Sequence, residues 1–325
     1  MRTAPDIVAR LSARVFLGKD LARDPIWLKI SVQYTIALMF AVRELRMCPH
    51  ALRPYVHWFL PACFYLRRLG SKARKLMSAE VAKRKVIRQE NLRNGIKNPK
   101  VSDTLGWMMD LAKDDPNFGY ADTQLGLTFA AIHTTSDLLT KCIYNFLTYP
   151  KYIEPVRKEM IDVLSRRLEE DRPRLEGTAI SGMARVAEED VKLSDGTVIP
   201  KDASVKMFLD KHYDGSVYPN PEHFDGYRFL NLRNQPGQEN NWQFVTTSAE
   251  HAGFGHGMQA CPGRFFASNE VKIALVFLLL RYDFKLADEN KPPKSMDLGM
   301  ELVADPITKV MYRRREEELD LFSSS

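Results

Sequence analysis

A glycine-rich loop that leads directly into an apolar helix constrains this chain more than any other feature. Residues 254–264 read FGHGMQACPGR. Gly255 and Gly257 permit backbone conformations closed to most residues, so the loop can pack tightly beneath a flat ligand. The helical, apolar pattern from Phe265 to Leu280 places Cys261 where free backbone N–H groups and the positive end of a helix dipole converge. Such a position favours the thiolate form of a cysteine, which is the form that binds metals.

The sequence predicts that Cys261 is an axial ligand of a haem iron. A thiolate donates electron density to the iron and favours O–O cleavage. The alternative is a buried structural cysteine in a glycine-rich turn, since free cysteine is among the most buried residue types. The fixed spacing of Phe254, Gly257, Cys261 and Gly263 favours the ligand interpretation.

This segment resembles the haem-binding loop of the cytochrome P450 family, whose signature is Phe-x-x-Gly-x-Arg/His-x-Cys-x-Gly. The resemblance implies that Cys261 binds the iron of haem b and that Phe254, Gly257 and Gly263 belong to the cofactor site. Gln259 stands where the family usually has Arg or His facing a haem propionate. One charge-assisted contact to the cofactor is therefore expected to be weaker.

A polar stretch interrupts the apolar pattern that predicts a long helix over 122–149. Residues 130–136 read AAIHTTS. Threonine hydroxyls can bond back to the preceding turn and bend a helix, which opens room for a small ligand; simple back-bonding without function is the alternative. The stretch resembles the family's oxygen-activating groove, usually Ala/Gly-Gly-x-Asp/Glu-Thr-Thr/Ser. By that resemblance Thr134 hands protons to dioxygen, and His133 replaces the usual acid as a relay near neutral pH.

Residues 219–229, PNPEHFDGYRF, resemble the family's meander segment, and Arg228 matches the Arg that packs there against an upstream Glu-x-x-Arg motif. Glu154 and Arg157 fit that motif but follow the central helix too closely, so we interpret the match as coincidence. Arg174, with Asp171 in place of Glu, is the better positional candidate, although the intervening proline disturbs a helix interior. Arg228 and Arg174 complete the predicted cofactor-binding set. The segment 151–174 is shorter than the family pattern requires.

The predicted fold class is mainly α with small β-sheets, an incomplete cytochrome P450 fold in one haem domain over residues 1–325. Helical patterns cover 5–17, 26–45, 65–94, 104–111, 122–149 and 151–169. Residues 191–199 alternate around an Asp-Gly turn and predict a hairpin, 212–243 read as irregular, and 305–313 as a strand. The resemblance begins near Val8, so the family's membrane anchor, first sheet and first helices are expected to be missing.

Composition describes a globular chain: 325 residues, 45% hydrophobic, 27% charged, with a formal net charge of +6. Its four cysteines form no CxxC pair, which favours a reducing, intracellular setting. The family usually resides at the endoplasmic reticulum membrane, but the longest strongly apolar run, 273–280, is far below the ~20 residues of a membrane span. The basic segment 67–93 reads as a solvated helix face; docking of an acidic redox partner is the alternative. No nucleic-acid motif accompanies it.

The resemblance predicts a haem-thiolate monooxygenase that inserts one atom of O2 into an apolar small molecule, a terpenoid or related fungal secondary metabolite. Electrons would come from NADPH through a separate cytochrome P450 reductase. Phe129, Ala130 and Ile132 are candidates for the substrate pocket. The alternative is a non-catalytic or mis-spliced remnant of the family that binds haem weakly or not at all. A generic helical binding module explains none of the motifs together.

Overall fold

The computed structural model describes residues 3–113, 115–166, 181–208, 210–297 and 302–316. The predicted fold class, mainly α with small β-sheets, is confirmed over these residues. The helices are α1 (Ala4–Leu21), α2 (Pro25–Arg46), α3 (Arg53–Val56), α4 (Pro61–Arg93), α5 (Thr104–Ala112), α6 (Tyr120–Thr148), α7 (Ile153–Arg166), α8 (Arg228–Arg233) and α9 (Arg264–Arg281).

The strands are short and pair in antiparallel twos. They are β1 (Ser181–Val186), β2 (Val191–Lys192), β3 (Val198–Ile199), β4 (Ser204–Phe208), β5 (Tyr282–Leu286), β6 (Met296–Asp297), β7 (Leu302–Val303) and β8 (Val310–Arg314). The pairs are β1–β4, β2–β3, β5–β8 and β6–β7. The predicted hairpin is confirmed as β2–β3, with Gly196 of the Asp-Gly turn at φ 91°.

The chain divides into two compact units, Met1–Ser136 and Asp137–Ser325. A single haem domain over the whole chain stays a prediction. The boundary falls within α6, so Thr134 and His133 belong to the first unit and the cysteine loop to the second.

An ionic cluster around Arg84 organises the first unit. The Arg84 guanidinium contacts Glu80 at 2.8 Å and Asp103 at 2.7 Å, and it donates to the Leu17 carbonyl at 2.7 Å. Asp103 also caps α5 by accepting from the backbone N–H of residue 106 at 2.8 Å. Gly18 makes this approach possible, because its φ is 80° and a Cβ there would lie 2.6 Å from the Asp103 carboxylate.

The basic segment 67–93 forms most of α4, where several of its cations are paired. Arg74 contacts Asp122 at 2.7 Å, and Lys83 contacts Asp20 at 3.2 Å. These exposed pairs support the interpretation of this part of the segment as a solvated helix face, whereas the Arg84 cluster is largely buried.

Among the described residues, α2 is long and apolar enough to cross a membrane by length and composition. No such segment was predicted from the sequence, because polar and charged residues interrupt the apolar positions of α2. α2 packs against α4, where the Tyr65 hydroxyl donates to Gln33 at 2.7 Å, and it buries Trp27 and Ile30. Core helices of soluble proteins pass the same test, so this is weak evidence for a membrane span.

A buried arginine joins three elements of the second unit. Arg157 of α7 donates to the Leu279 carbonyl of α9 at 2.9 Å and to the Tyr282 carbonyl at 3.1 Å. Its guanidinium also contacts Asp283 of β5 at 2.8 Å and Glu154 at 2.6 Å. The Glu154-x-x-Arg157 sequence therefore forms a clasp between α7, the end of α9 and β5.

Candidate functional site

The cysteine loop places the Cys261 thiol immediately before α9. The Cys261 N–H donates to the Phe254 carbonyl at 2.7 Å, which closes the loop on itself. Gly255 and Gly257 have φ values of 70° and 75°, in the left-handed region that favours glycine. The two glycines and the cross-loop hydrogen bond therefore fix the position of Cys261 from within eight residues of sequence.

The surroundings of the Cys261 sulfur leave room for a bound group. Cys261 is partly exposed, and within the described part of the chain no hydrogen bond involves its sulfur. Gly263 begins the approach to α9, and a Cβ there would lie 3.8 Å from the sulfur, in ordinary contact. At Gly257 a Cβ would meet nothing within 4 Å, so that side of the loop is open.

An aromatic contact stabilises the loop. Phe254 packs edge-on against Phe244, with ring centroids 5.1 Å apart. Gln259 lies in the exposed short helical turn from Gly257 to Gln259, which is the predicted place for a contact to a haem propionate. The loop residues named by the sequence, Phe254, Gly257, Gln259, Cys261 and Gly263, thus lie together in one short segment.

Strand β1 contacts the loop through Met183, with Arg185 beside it, and neither residue was predicted from the sequence. The His256 N–H donates to the Met183 sulfur at 3.3 Å, and the Arg185 guanidinium lies 3.8 Å from the same sulfur. Arg185 is exposed, so its positive charge is accessible beside the loop. This contact spans more than 70 residues of sequence, and no local signal in the sequence marks it.

Arg228 donates hydrogen bonds to the backbone of its own segment, the meander at 219–229. Arg228 is 7% exposed, and its guanidinium donates to the Asn220 carbonyl at 3.0 Å and to the His223 carbonyl. Arg228 begins α8, a helix inside the region that the sequence predicted to be irregular. The predicted partners Asp171 and Arg174 lie outside the described residues.

The polar stretch of α6 shows the predicted back-bonding. The Thr134 hydroxyl donates to the Ala130 carbonyl at 2.7 Å, and the Thr134 side chain is exposed in the first unit. His133 stacks on Phe129, with ring centroids 6.4 Å apart and the planes 15° from parallel. Ile132 is 2% exposed and belongs to the core of the unit, so of the three predicted pocket residues only Phe129 and Ala130 lie at the accessible face.

The other cysteines differ from Cys261 in their surroundings. Burial raises the pKa of the Cys142 thiol far above its ordinary value, and Cys142 is 1% exposed. Burial also raises the pKa of Cys63, with Arg67 opposing the shift. These two thiols have the inert surroundings of structural cysteines, whereas Cys261 lies in an open loop.

The residues present fit a haem bound through one protein ligand. The described residues contain no group of three or more His, Cys, Asp or Glu side chains able to enclose a metal ion. A haem iron needs only one such side chain, because the porphyrin supplies the other ligands in its plane. The open sulfur of Cys261 and the glycine-lined side of the loop meet that requirement.

Comparison with known proteins agrees with the motifs. The family model for cytochrome P450 matches residues 35–311. Cytochrome P450 monooxygenase adrA of Penicillium rubens is 42% identical over 96% of this chain and 64% of its own length. Cytochrome P450 monooxygenase 1 of Gibberella fujikuroi is 39% identical over 96% of this chain and 74% of its length. Cytochrome P450 monooxygenase olcG of Penicillium canescens is 40% identical over 97% of this chain and 66% of its own length.

The chain therefore spans about two-thirds of the length of these relatives. The family match covers most of the 325 residues and includes the cysteine loop, the meander and the polar stretch of α6. This chain belongs to the cytochrome P450 family.

Proposed function

We propose that this chain carries the haem-thiolate centre of a monooxygenase that inserts one atom of O2 into an apolar small molecule. The observation that carries the proposal is the position of Cys261, a partly exposed residue held by the 2.7 Å hydrogen bond from its backbone N–H to the Phe254 carbonyl. The names of the relatives, all cytochrome P450 monooxygenases, support the same activity.

In this proposal Cys261 holds the iron of haem b as a thiolate. When bound, the haem supplies the redox chemistry that splits dioxygen, with one atom entering the substrate and the other leaving as water. Phe254 and the glycines hold the sulfur in place. Arg185 offers the positive charge that Gln259 lacks, so we assign it a contact to a haem propionate.

We assign Thr134 and His133 to proton delivery. The Thr134 hydroxyl proton is engaged with the Ala130 carbonyl, and its oxygen lone pairs remain able to accept a hydrogen bond from water. A turn of the hydroxyl about its C–O bond converts Thr134 from acceptor to donor. His133, partly exposed against Phe129, lies one residue before Thr134 and is our candidate for the proton relay.

The substrate class, electron supply and location are proposed by analogy. The accessible Phe129 and Ala130 beside Thr134 suit an apolar substrate. A terpenoid or related fungal secondary metabolite is proposed from the resemblance of the motifs alone. Electrons would come from NADPH through a cytochrome P450 reductase. An intracellular location, at the endoplasmic reticulum membrane as is usual for the family, completes the proposal.

A non-catalytic remnant of the family is the second candidate. It is favoured by the contacts of Arg157, which bind α9 and β5 and do not include Arg228, so the Glu154-x-x-Arg157 match serves another purpose. Such a chain, whether mis-spliced or decayed, would bind haem weakly or not at all.

The CO-difference spectrum of the reduced 325-residue protein separates the two candidates. We expect a Soret band at the red-shifted position typical of thiolate ligation, and its loss in Cys261→Ala. Cys142→Ala is the matched control, because it removes a cysteine outside the loop. Absence of haem from purified, folded wild type, or a spectrum that Cys261→Ala leaves unchanged, would overturn the monooxygenase proposal and favour the remnant.

A further inference from the structure

A cavity of about 440 Å³ lies within the second unit, between α7, α9 and the irregular segment that precedes the cysteine loop. Protein interiors seldom contain voids larger than a water molecule. Sites for small organic ligands occupy roughly 300–1,000 Å³, so the cavity has the size of a ligand site. It is separate from the haem-loop candidate, because Cys261, Phe254 and Gly257 are not among its lining residues.

The walls of the cavity are mostly apolar and come from three directions. The main apolar contributors are Met160 and Val163 of α7, Leu275 and Val276 of α9, and the rings of Phe224 and Phe244. An apolar molecule placed here would be removed from water on several sides, at roughly 25 cal/mol for each Å² of buried apolar surface.

The polar groups at the cavity favour an uncharged ligand. The charged side chains at the wall, Glu159, Arg233 and Lys272, include both signs, and each of them already has an interaction partner. Arg233, for example, donates to the Glu239 carbonyl at 3.3 Å. Ser268, which is 4% exposed, and Gln243 offer a hydroxyl and an amide to a hydrogen-bonding group.

We propose that this cavity binds an uncharged, largely apolar small molecule that carries a hydroxyl or carbonyl group. The apolar walls account for most of its affinity, and Ser268 and Gln243 orient it. The site lies entirely within residues 146–276 and does not depend on haem binding.

The test uses the full 325-residue chain and the neutral fluorescent amine N-phenyl-1-naphthylamine. We expect saturable binding of one probe per chain to both wild type and Cys261→Ala. The double variant Val163→Phe/Val276→Phe fills the cavity from both helices and should weaken binding at least tenfold. Ile273→Phe is the matched control: it adds a ring to the same helix at a position 57% exposed and outside the cavity, and should bind like wild type.

A second readout locates the probe without relying on the filled variant. Trp242 is the one tryptophan in the sequence after residue 136 and directly precedes Gln243. Energy transfer from tryptophan to the bound probe should fall in Trp242→Phe, with the probe's affinity retained. Circular dichroism and thermal unfolding establish that each variant is folded.

Three results would overturn the proposal. They are binding that does not saturate, equal affinity in a folded Val163→Phe/Val276→Phe variant, and loss of binding in Cys261→Ala, which would place the probe at the cysteine loop. Because Cys261→Ala cannot hold haem through a thiolate, its retained binding of the probe distinguishes this site from the proposed monooxygenase centre.

Discussion

Replacing Arg157 with methionine should destabilise the second unit more than any other single charge removal at its ionic cluster. Arg157 is 7% exposed and serves three acceptors on other elements, the carbonyls of Leu279 and Tyr282 and the carboxylate of Asp283. Methionine keeps the apolar stem but supplies no donor. The variant therefore leaves buried acceptors without their cation and keeps most of the packing.

The magnitude follows from the exposure of each partner. Removing one member of a buried ion pair costs about 3–5 kcal/mol. Asp283 has 32% of its side chain exposed, so solvent screens part of that loss. Glu154 is 75% exposed and its pair with Arg157 contributes below about 1 kcal/mol. With the two unpaired carbonyls included, we expect the free energy of unfolding to fall by about 3 kcal/mol, so the unfolded fraction rises about a hundredfold.

Urea unfolding followed by circular dichroism measures this loss. With an m-value of about 1–3 kcal/mol/M, the midpoint should fall by about 1–3 M. Arg313→Met is the matched control, because Arg313 contacts the same carboxylate at 3.1 Å but is 83% exposed. Its cost should remain below about 1 kcal/mol. Equal costs for the two variants would refute the argument that burial of Arg157 sets the magnitude.

The same cluster predicts a pH dependence. Burial raises the pKa of Asp283, but hydrogen bonds and charge from Arg157 and Arg313 outweigh it, so the pKa lies below its ordinary value. A carboxylate with a lowered folded pKa stabilises the fold above its unfolded pKa, about 3.9, and this stabilisation is lost as the pH falls through the folded pKa. Below about pH 4 the wild type should lose stability more steeply than Arg157→Met.

Further predictions address the first unit and the thiols. Arg84→Met removes contacts to two carboxylates and a backbone carbonyl and should lower the free energy of unfolding by about 3 kcal/mol. Lys83→Met, at an exposed pair, should lower it by less than about 1 kcal/mol, and urea midpoints measure both. Gly18→Ala should cost about 1–3 kcal/mol from its φ of 80°, and more from the clash with a carboxylate oxygen 2.6 Å away; an unchanged midpoint would contradict this. Ellman's reagent at pH 8 should modify Cys48 in the folded protein, and Cys142 only after unfolding, because burial raises the pKa of Cys142.

Much of the fold could be predicted because helix ends are marked locally. Asp24 accepts from the backbone N–H groups of residues 26 and 27 at 2.7 and 2.8 Å, and Pro25 starts α2 within one residue of the predicted position. α8 was missed, since its six residues are surrounded by proline, asparagine and glycine. The pairs β1–β4 and β5–β8 were not predicted. Their paired residues lie more than 15 positions apart in the sequence, and no tight turn between the strands indicates the pairing.

The candidate site likewise has features that adjacent sequence predicts and features that it does not. The geometry around Cys261 is set by residues 254–263, and the Thr134 hydroxyl bonds to a carbonyl four residues away, so both could be predicted from adjacent sequence. Met183 and Arg185 approach the loop from a distant strand, and nothing in their own sequence marks that contact. Tertiary contacts of this kind are visible only once β1 has been placed.

Local closure also determines what the haem experiment can decide. The loop hydrogen bond from Cys261 to Phe254 and the meander bonds from Arg228 to Asn220 and His223 each join residues within eight positions. Neither set of bonds involves Arg157. A thiolate spectrum from this chain would therefore show that haem binds without a contact between Arg157 and Arg228. Failure to bind haem in a chain that unfolds with the predicted Arg157 dependence would instead show that a folded second unit with a closed loop does not suffice, which favours the remnant.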